Sequence, residues 1–477
     1  MSSFLKNLPS LGELLESPPL KSLVNRVSRN VVVTSATRFL DDLRSQVQTA
    51  TAGMNIPSPS ELAERIAAWI TTTQAPGLRP AINATGILLP GACGGCPVAE
   101  EAITAFTSMA RGYGDPRGDL AGEVERLLIE RTGAEAAIVT GSYASARLAA
   151  LAALAGGREV LIARGELVEF ADGLRLEDAI RAAVVTARPV GAANKARSED
   201  YASATGGQTA AWWHVQTVAL ARGTGDEIPL AELAVLARKH QVPLVDELDL
   251  GGFLDLEQHG LAAQPTAAAS LKAGADLVLL AGDKLLGGPP AGILLGKRGL
   301  IDKIRRHSHF QDLAADRLRL TVLGATLRLY ADTAAAERSI PLLALIGTSA
   351  ENLKNRAERL APQLCASGLV TAEARPGEAS LTSAALPGSK LPTWQLAISP
   401  QRGTVVALAA SLEAGPLPIR GRTEGERLIL DLRTVFPHQD MQIADAFEAL
   451  VAGPAAPSAP PPNAAADQPD PLPDPIT

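Results

Sequence analysis

Cysteine is nearly absent from this 477-residue chain, with Cys93, Cys96 and Cys365 the only three. Three thiols are too few for a disulfide framework at this length, which excludes a small secreted scaffold and points to a reducing compartment. Aromatic residues are scarce too, at 3%, so a core of aliphatic helices packed on sheet is expected in place of an aromatic β-sandwich. Long hydrophobic runs are missing. No segment offers about 18 consecutive apolar residues, and the opening MSSFLKNLPSLGELL lacks the basic flank and apolar stretch of a secretion signal. The expectation is no membrane span and a cytoplasmic location. Positive charge is not in excess either: the formal net charge is −7, which excludes an overall basic field and leaves any RNA contact to a local patch.

What is present is aliphatic, with 46% hydrophobic and 20% charged residues, enough for one large α/β core and smaller satellites. Residues 1–75 read as short amphipathic helices punctuated by Pro57, Ser58 and Pro59, a helical N-terminal domain. Its Lys6, Lys21, Arg26, Arg29, Arg38 and Arg44 are interleaved with Glu13, Glu16, Asp41 and Asp42, the pattern of a solvated helical face more than of an RNA-binding stripe. Across residues 76–335, aliphatic strands such as AAIVTG, EVLIAR, VPLVDEL and ADLVLLAG alternate with helical stretches, which predicts βα units around a mainly parallel sheet. Residues 336–453 hold a helix, a loop-rich Pro and Gly stretch, and the strand candidates WQLAIS, PIRGRTEG and RLILDLR, a small α+β domain. Residues 454–477, mostly Pro, Ala and Asp, are expected to be a disordered tail.

Three features of the large α/β segment carry chemistry. In ADLVLLAGDKLLGGPPAGILLG, Lys284 leaves an apolar strand at a glycine-bounded turn, where poor hydration suits an amine to imine formation. Upstream, VPLVDELDLGG carries Asp246 at the carboxyl end of a strand, the place where open α/β sheets put ligand contacts. A carboxylate there can pair with a protonated pyridine nitrogen; alone it reads equally well as a helix N-cap. Further upstream, AAIVTGSYASARLAALAALAGG is strand, Gly141-Ser142 turn, then helix, and the N–H groups and dipole of such a helix start bind phosphate. Phosphate turn, aspartate and lysine in that order are the parts list of a pyridoxal 5'-phosphate site.

The segments INATG (82–86), RTGAEAAIV (131–139), RGELVE (164–169), VGAAN (190–194), AGADLVLLAGDKLLGGP (273–289), LGATLRLY (323–330) and IRGRTEGERLILDLRTV (419–435) resemble bacterial selenocysteine synthase, the L-seryl-tRNA(Sec) selenium transferase family. LPSLGELLESPPLKSLV resembles that family's N-terminal segment, so the resemblance runs from about residue 5 to 453. It implies a fold type I, aspartate-aminotransferase-like large domain with a small α+β C-terminal domain. It also implies pyridoxal 5'-phosphate as cofactor, Lys284 as the imine-forming lysine and Asp246 as the pyridine partner. Either His214 or Gln216 is a candidate to cover the cofactor ring, and the histidine that the family places there aligns best with Gln216. The implied reaction converts seryl-tRNA(Sec) to selenocysteinyl-tRNA(Sec) by elimination and selenium addition, in a homo-oligomer whose N-terminal domain helps grip the tRNA.

The chain also departs from the family. An arginine expected just after the INATG motif is missing from the run Pro90 to Gly95, and two further arginine positions hold Gln311 and Ala314. Charge-assisted contacts to an anionic donor are worth about 1.5–3 kcal/mol each, so these losses keep two alternatives open. One is a diverged pyridoxal-phosphate lyase or transferase acting on a small amino acid, and the other a non-catalytic paralogue. Cys93-Gly-Gly-Cys96 is new at this place, but a single pair falls short of the four ligands that structural zinc takes, and no metal site is expected.

Overall fold

The computed structural model describes residues 9–24, 27–49, 58–74, 78–91, 95–169, 173–216, 228–262, 264–383 and 390–451. Lys6, Arg26, Cys93 and the 454–477 tail therefore lie outside the described residues. The described residues fall into two compact units: those up to residue 81 with 416–418 and 448–451, and those of 82–415 with 419–447. The boundary expected near residue 335 falls inside the second unit.

In the first unit, α1 (Leu11–Leu15) starts at a reciprocal cap. The Ser10 backbone N–H donates to the Glu13 carboxylate at 2.8 Å, and the Ser10 hydroxyl accepts from the Glu13 N–H. After α2 (Pro18–Val24) and α3 (Arg29–Thr49), Ser58 and Glu61 repeat the device at α4 (Pro59–Gln74). Leu14, Leu20, Val32, Leu40, Leu62, Ile66 and Ile70 meet in a buried cluster. On the outside, Lys21 pairs with Glu16 at 2.6 Å and Arg44 with Asp41 at 2.8 Å, so basic residues of the N-terminal stripe are matched by neighbouring acids.

The second unit opens with β1 (Ile82–Asn83), followed by α5 (Glu100–Ala110), α6 (Leu120–Thr132), β2 (Ala136–Thr140), α7 (Tyr143–Ala155), β3 (Glu159–Ala163), β4 (Thr186–Val190), β5 (Thr209–Gln216), β6 (Leu244–Leu248), β7 (Leu277–Ala281) and β8 (Gly292–Gly296). Strands β2 to β8 form one seven-stranded sheet in the order β2-β8-β7-β6-β5-β3-β4. Only β8 runs against its neighbours; the other pairings are parallel. Every residue of β2, β6, β7 and β8 is buried, which is why β2, β7 and β8 read as apolar runs without alternation, while β6 carries two buried carboxylates, Asp246 and Glu247. On one face, Val278, Leu280, Ile293 and Leu295 pack with Val124 and Leu128 of α6 and with Leu323 and Leu327 of the helix Arg317–Leu329. On the other, Val160, Trp213, Val245, Leu279 and Leu294 pack with Ala146, Ala149 and Leu151 of α7.

The remaining strands are β9 (Val370–Ser380), β10 (Lys390–Pro400), β11 (Ile419–Arg420), β12 (Arg422–Glu424) and β13 (Arg427–Asp431). Four of them form an antiparallel sheet, β12-β13-β10-β9, with the helix Ala350–Ala366 packed on β9 and β10. Strand β9 corrects the expectation of a loop-rich stretch. Pro376 and Gly377 sit within it, and a proline is tolerated because β9 is the edge of the sheet and has a ladder on one side only.

The INATG segment is explained by the partner it meets. Strand β1 pairs with β11, the Ala84 carbonyl accepts from the Asp431 N–H at 2.9 Å, and Arg422 donates to the Thr85 carbonyl at 2.9 Å. Gly86 has φ +78°, and a side chain there would come within 2.7 Å of the buried Asp431 carboxylate. Gly86→Ala is therefore expected to cost roughly 1–3 kcal/mol through strain and displacement of that carboxylate, read as a lower urea midpoint with an unchanged slope.

Candidate functional site

The carboxyl ends of β2, β5 and β7 and the middle of β6 supply the candidate residues. Strand β2 ends at Thr140, whose hydroxyl donates to the Ser142 carbonyl at 2.9 Å. The Gly141 N–H donates to the Leu313 carbonyl at 2.8 Å, which fixes the turn. Ser142 is the N-cap of α7: its hydroxyl accepts from the Ser145 N–H at 3.1 Å, and its own N–H donates to the Ser145 hydroxyl at 2.8 Å. The positive end of a 13-residue helix is thereby presented at the edge of the sheet. Gly141 itself contributes shape more than a donor, because its N–H is taken.

Asp246 lies in the middle of β6 and is fully buried, so the N-cap reading does not hold. In the parallel register of β5 and β6, His214 stands opposite Asp246, and residues 214 and 216 share a face because side chains alternate along a strand. His214 Nδ1 is 2.7 Å from Asp246 Oδ1, and the Gln216 amide nitrogen is 2.8 Å from Oδ2 and 3.1 Å from Oδ1. A carboxylate only accepts, so Nδ1 of the imidazole carries the proton in this contact. On the far side of the ring, Glu166 of the RGELVE segment has Oε1 3.8 Å from His214 Nε2, while its Oε2 accepts from the Val215 N–H at 2.9 Å. Sequence reasoning left His214 as Gln216's neighbour without a partner; strand alternation together with the parallel β5/β6 pairing was the signal that joins it to Asp246.

Strand β7, the neighbour of β6, runs directly into Gly282-Asp283-Lys284. The turn is held by its backbone: Gly282 N–H to the Ala291 carbonyl at 2.8 Å, Gly288 N–H to the Gly282 carbonyl at 2.8 Å, and Gly287 N–H to the Lys284 carbonyl at 2.9 Å. Gly287 has φ +68° and no room for a side chain against Ile340, which accounts for the double glycine. Tyr330, the last residue of LGATLRLY, donates from its hydroxyl to the Leu286 carbonyl at 2.8 Å and seals the turn from the helix side. Lys284 is half-buried, between the buried strand and the buried Leu285 and Leu286.

Cys96 packs beside this turn, with Sγ 3.8 Å from the Lys284 carbonyl. Burial first, then the Asp283 carboxylate, pushes its thiol up to about 12 from the ordinary 9.0, against the opposing charge of Lys284. At pH 8 only about one molecule in 10⁴ would carry the reactive thiolate. Cys96 is expected to resist iodoacetamide in the native chain and to label rapidly in urea, read by peptide mass; labelling of native Cys96 at the rate of a free thiol would contradict this. Cys93 lies outside the described residues. Among the described residues, no group of three or more His, Cys, Asp or Glu side chains could hold a metal ion.

Buried Asp246 with its oriented donors, an amine at the end of the next strand and a capped helix start form a donor set that fits pyridoxal phosphate: an anion for the pyridinium, a nucleophile for the aldehyde and a positive helix end for the phosphate. The segment against the phosphate turn is Phe310 to Ala315, whose Leu313 carbonyl meets Gly141. It brings Gln311 and Ala314 and no cation.

Comparison with known proteins agrees with this frame. The model of the L-seryl-tRNA selenium transferase family matches residues 81–436, and that of the selenocysteine synthase N-terminal segment matches residues 5–44. The L-seryl-tRNA(Sec) selenium transferase of Moorella thermoacetica is 34% identical over 94% of this chain and 98% of its own length. That of Desulfomicrobium baculatum is 32% identical over 95% and 100%. Among solved structures, D-glucosaminate-6-phosphate ammonia-lyase has the same fold, with a TM-score of 0.58 at 19% identity over 80% of this chain and 98% of that one. The chain belongs to the L-seryl-tRNA selenium transferase family and, with it, to the pyridoxal-phosphate-dependent enzymes of fold type I.

Proposed function

We propose that this chain converts seryl-tRNA(Sec) to selenocysteinyl-tRNA(Sec), with Lys284 and Asp246 as its principal catalytic groups. The observation that carries the reading is the buried Asp246 carboxylate, held by His214 and Gln216 on the strand next to the one that delivers Lys284. Pyridoxal phosphate, when bound, supplies an electron sink for the serine α-carbon. The chain's own residues do the rest. Asp246 holds a proton on the pyridine nitrogen, and the His214 and Gln216 donors keep its carboxylate aimed. Gln216, bonded to the Asp246 carboxylate, would be a further contact of the cofactor. Ser142 and the start of α7 hold the phosphate, with Gly141 shaping the turn. Lys284 would anchor the cofactor and offer Nζ as the acceptor of the α-proton.

The division into an N-terminal helical domain, a cofactor-binding domain over 76–335 and a small domain over 336–453 belongs to the same proposal. So do a homo-oligomeric assembly, a cytoplasmic location and a tRNA contact through the N-terminal helices. No helix among the described residues is long and apolar enough to cross a membrane.

A second reading is favoured by one observation. The Phe310–Ala315 segment that lies against the phosphate turn carries Asp312 and no arginine or lysine, so an anionic selenium donor finds no cation there. In that reading the enzyme is a lyase or transferase for a small free amino acid. Purified protein with pyridoxal phosphate, seryl-tRNA(Sec) and radiolabelled selenophosphate separates the two. Selenium in the aminoacyl-tRNA supports the transferase; no incorporation, with turnover of a free amino acid such as serine, supports the second reading and overturns the first.

A further inference from the structure

Helix α7 and strand β6 are joined by a buried ion pair that none of the roles above uses. Arg147 and Glu247 are both sealed from solvent. Two nitrogens of the guanidinium converge on one carboxylate oxygen, Nε at 2.7 Å and Nη2 at 2.6 Å from Oε1, and the indole N–H of Trp213 donates to the other oxygen at 2.7 Å. The Arg147 guanidinium also lies 4.8 Å from the centre of the Tyr143 ring, one helical turn back. Tyr143 is the first residue of α7, next to Ser142. Glu247 follows Asp246 on β6 and, by strand alternation, faces the opposite side of the sheet, the side on which α7 packs.

The pair thus connects the two ends of the candidate cofactor site by a short rigid path. At one end is the helix start that would take the phosphate; at the other, the strand that carries the pyridine partner. Isolated charges are costly in such surroundings, and a buried pair is often no more stabilising than apolar residues of the same size. Stability alone therefore does not account for an arginine among the alanines of α7 or for a second buried carboxylate, beside Asp246, in the five-residue strand β6.

We infer that Arg147 and Glu247 are positioning residues that set the phosphate turn of α7 at a fixed distance from Asp246, so that the phosphate and the pyridine nitrogen of the cofactor are held together. This rests on the reading of Ser142 and Asp246 as cofactor contacts. It predicts a selective effect. Loosening the tie weakens binding of the phosphorylated cofactor, which spans both ends, and spares pyridoxal, which lacks the phosphate.

The test uses the full-length chain with Arg147→Met and Glu247→Leu combined, which leaves neither charge alone, and Arg147→Lys, which keeps the charge but loses the two-nitrogen fork. Dissociation constants are measured for pyridoxal phosphate and for pyridoxal, with circular dichroism to establish folding. In the double variant, pyridoxal phosphate should bind roughly tenfold more weakly while pyridoxal changes less than about twofold, with Arg147→Lys in between. Equal weakening of both ligands, or no change in either, in a folded variant overturns the inference and leaves the proposed function standing. If the double variant does not fold, the same comparison on Arg147→Lys decides. A wild-type chain that binds neither ligand overturns the proposed function, and this inference with it.

Discussion

Lys284→Ala should abolish turnover, with a loss on the order of 10⁴-fold or more, because the residue is asked both to anchor the cofactor and to move the α-proton, and groups that act as a unit fail together. The visible absorbance of lysine-bound cofactor should vanish with it. The fold should survive: the turn around Lys284 is held by the backbone bonds of Gly282, Gly287 and Gly288 and by Tyr330, none of which involves the lysine side chain. Parallel spectra and steady-state rates of the two proteins check the result. A variant that keeps the wild-type rate would remove Lys284 from the mechanism, and a variant that unfolds would show that the turn depends on the side chain after all.

Asp246→Asn should lower turnover by about 10²- to 10³-fold while the lysine-bound absorbance persists. The substitution keeps the shape and an acceptor for Gln216 but takes away the charge that holds a proton on the pyridine nitrogen; losing one partner of a buried charged pair costs about 3–5 kcal/mol, and each 1.4 kcal/mol is a tenfold change in rate. The two variants therefore differ in kind: Lys284→Ala removes the spectrum and the rate, Asp246→Asn the rate alone. Steady-state kinetics beside the spectrum would show it, and an unchanged kcat in Asp246→Asn would mean that the buried carboxylate serves packing and not the ring.

Much of this arrangement was legible in the sequence because it is written in local patterns. Strands β2 and β7 are buried on both faces, so they stand out as apolar runs, and the residues that follow them, Gly141-Ser142 and Gly282-Asp283-Lys284, are found simply by reading past the strand ends. Asp246 was found in the same way, although it lies within the buried strand and not beyond it. What stayed hidden depends on partners distant along the chain. His214 acquires its carboxylate only through the parallel register of β5 and β6. Arg147 and Glu247, 100 residues apart, each look like a stray charge in an apolar element until the helix packs on the sheet. Strand β9 was obscured for the opposite reason: Pro376 and Gly377 argue locally for a loop, and only the position of the strand at the sheet edge makes them compatible with a ladder.

The absence of arginine and lysine from residues 310–315, against the Gly141-Ser142 turn, likewise acquires meaning from place. In sequence, Gln311 and Ala314 stand out only through the resemblance, as two positions where the family carries arginine. In the fold, their segment meets Gly141 through the Leu313 carbonyl, so whatever anion enters from that side is met by backbone and the Ser142 cap and not by guanidinium groups. This is the physical ground on which the choice of donor, and not the choice of cofactor, separates the two readings of the reaction.

We propose Lys284 as the residue to which the cofactor is joined. The direct measurement is borohydride reduction of the full-length protein after addition of pyridoxal phosphate, followed by peptide mass mapping. The account predicts one pyridoxyl-phosphate adduct, on the peptide that contains Lys284. An adduct on another lysine, or none at all, would contradict it.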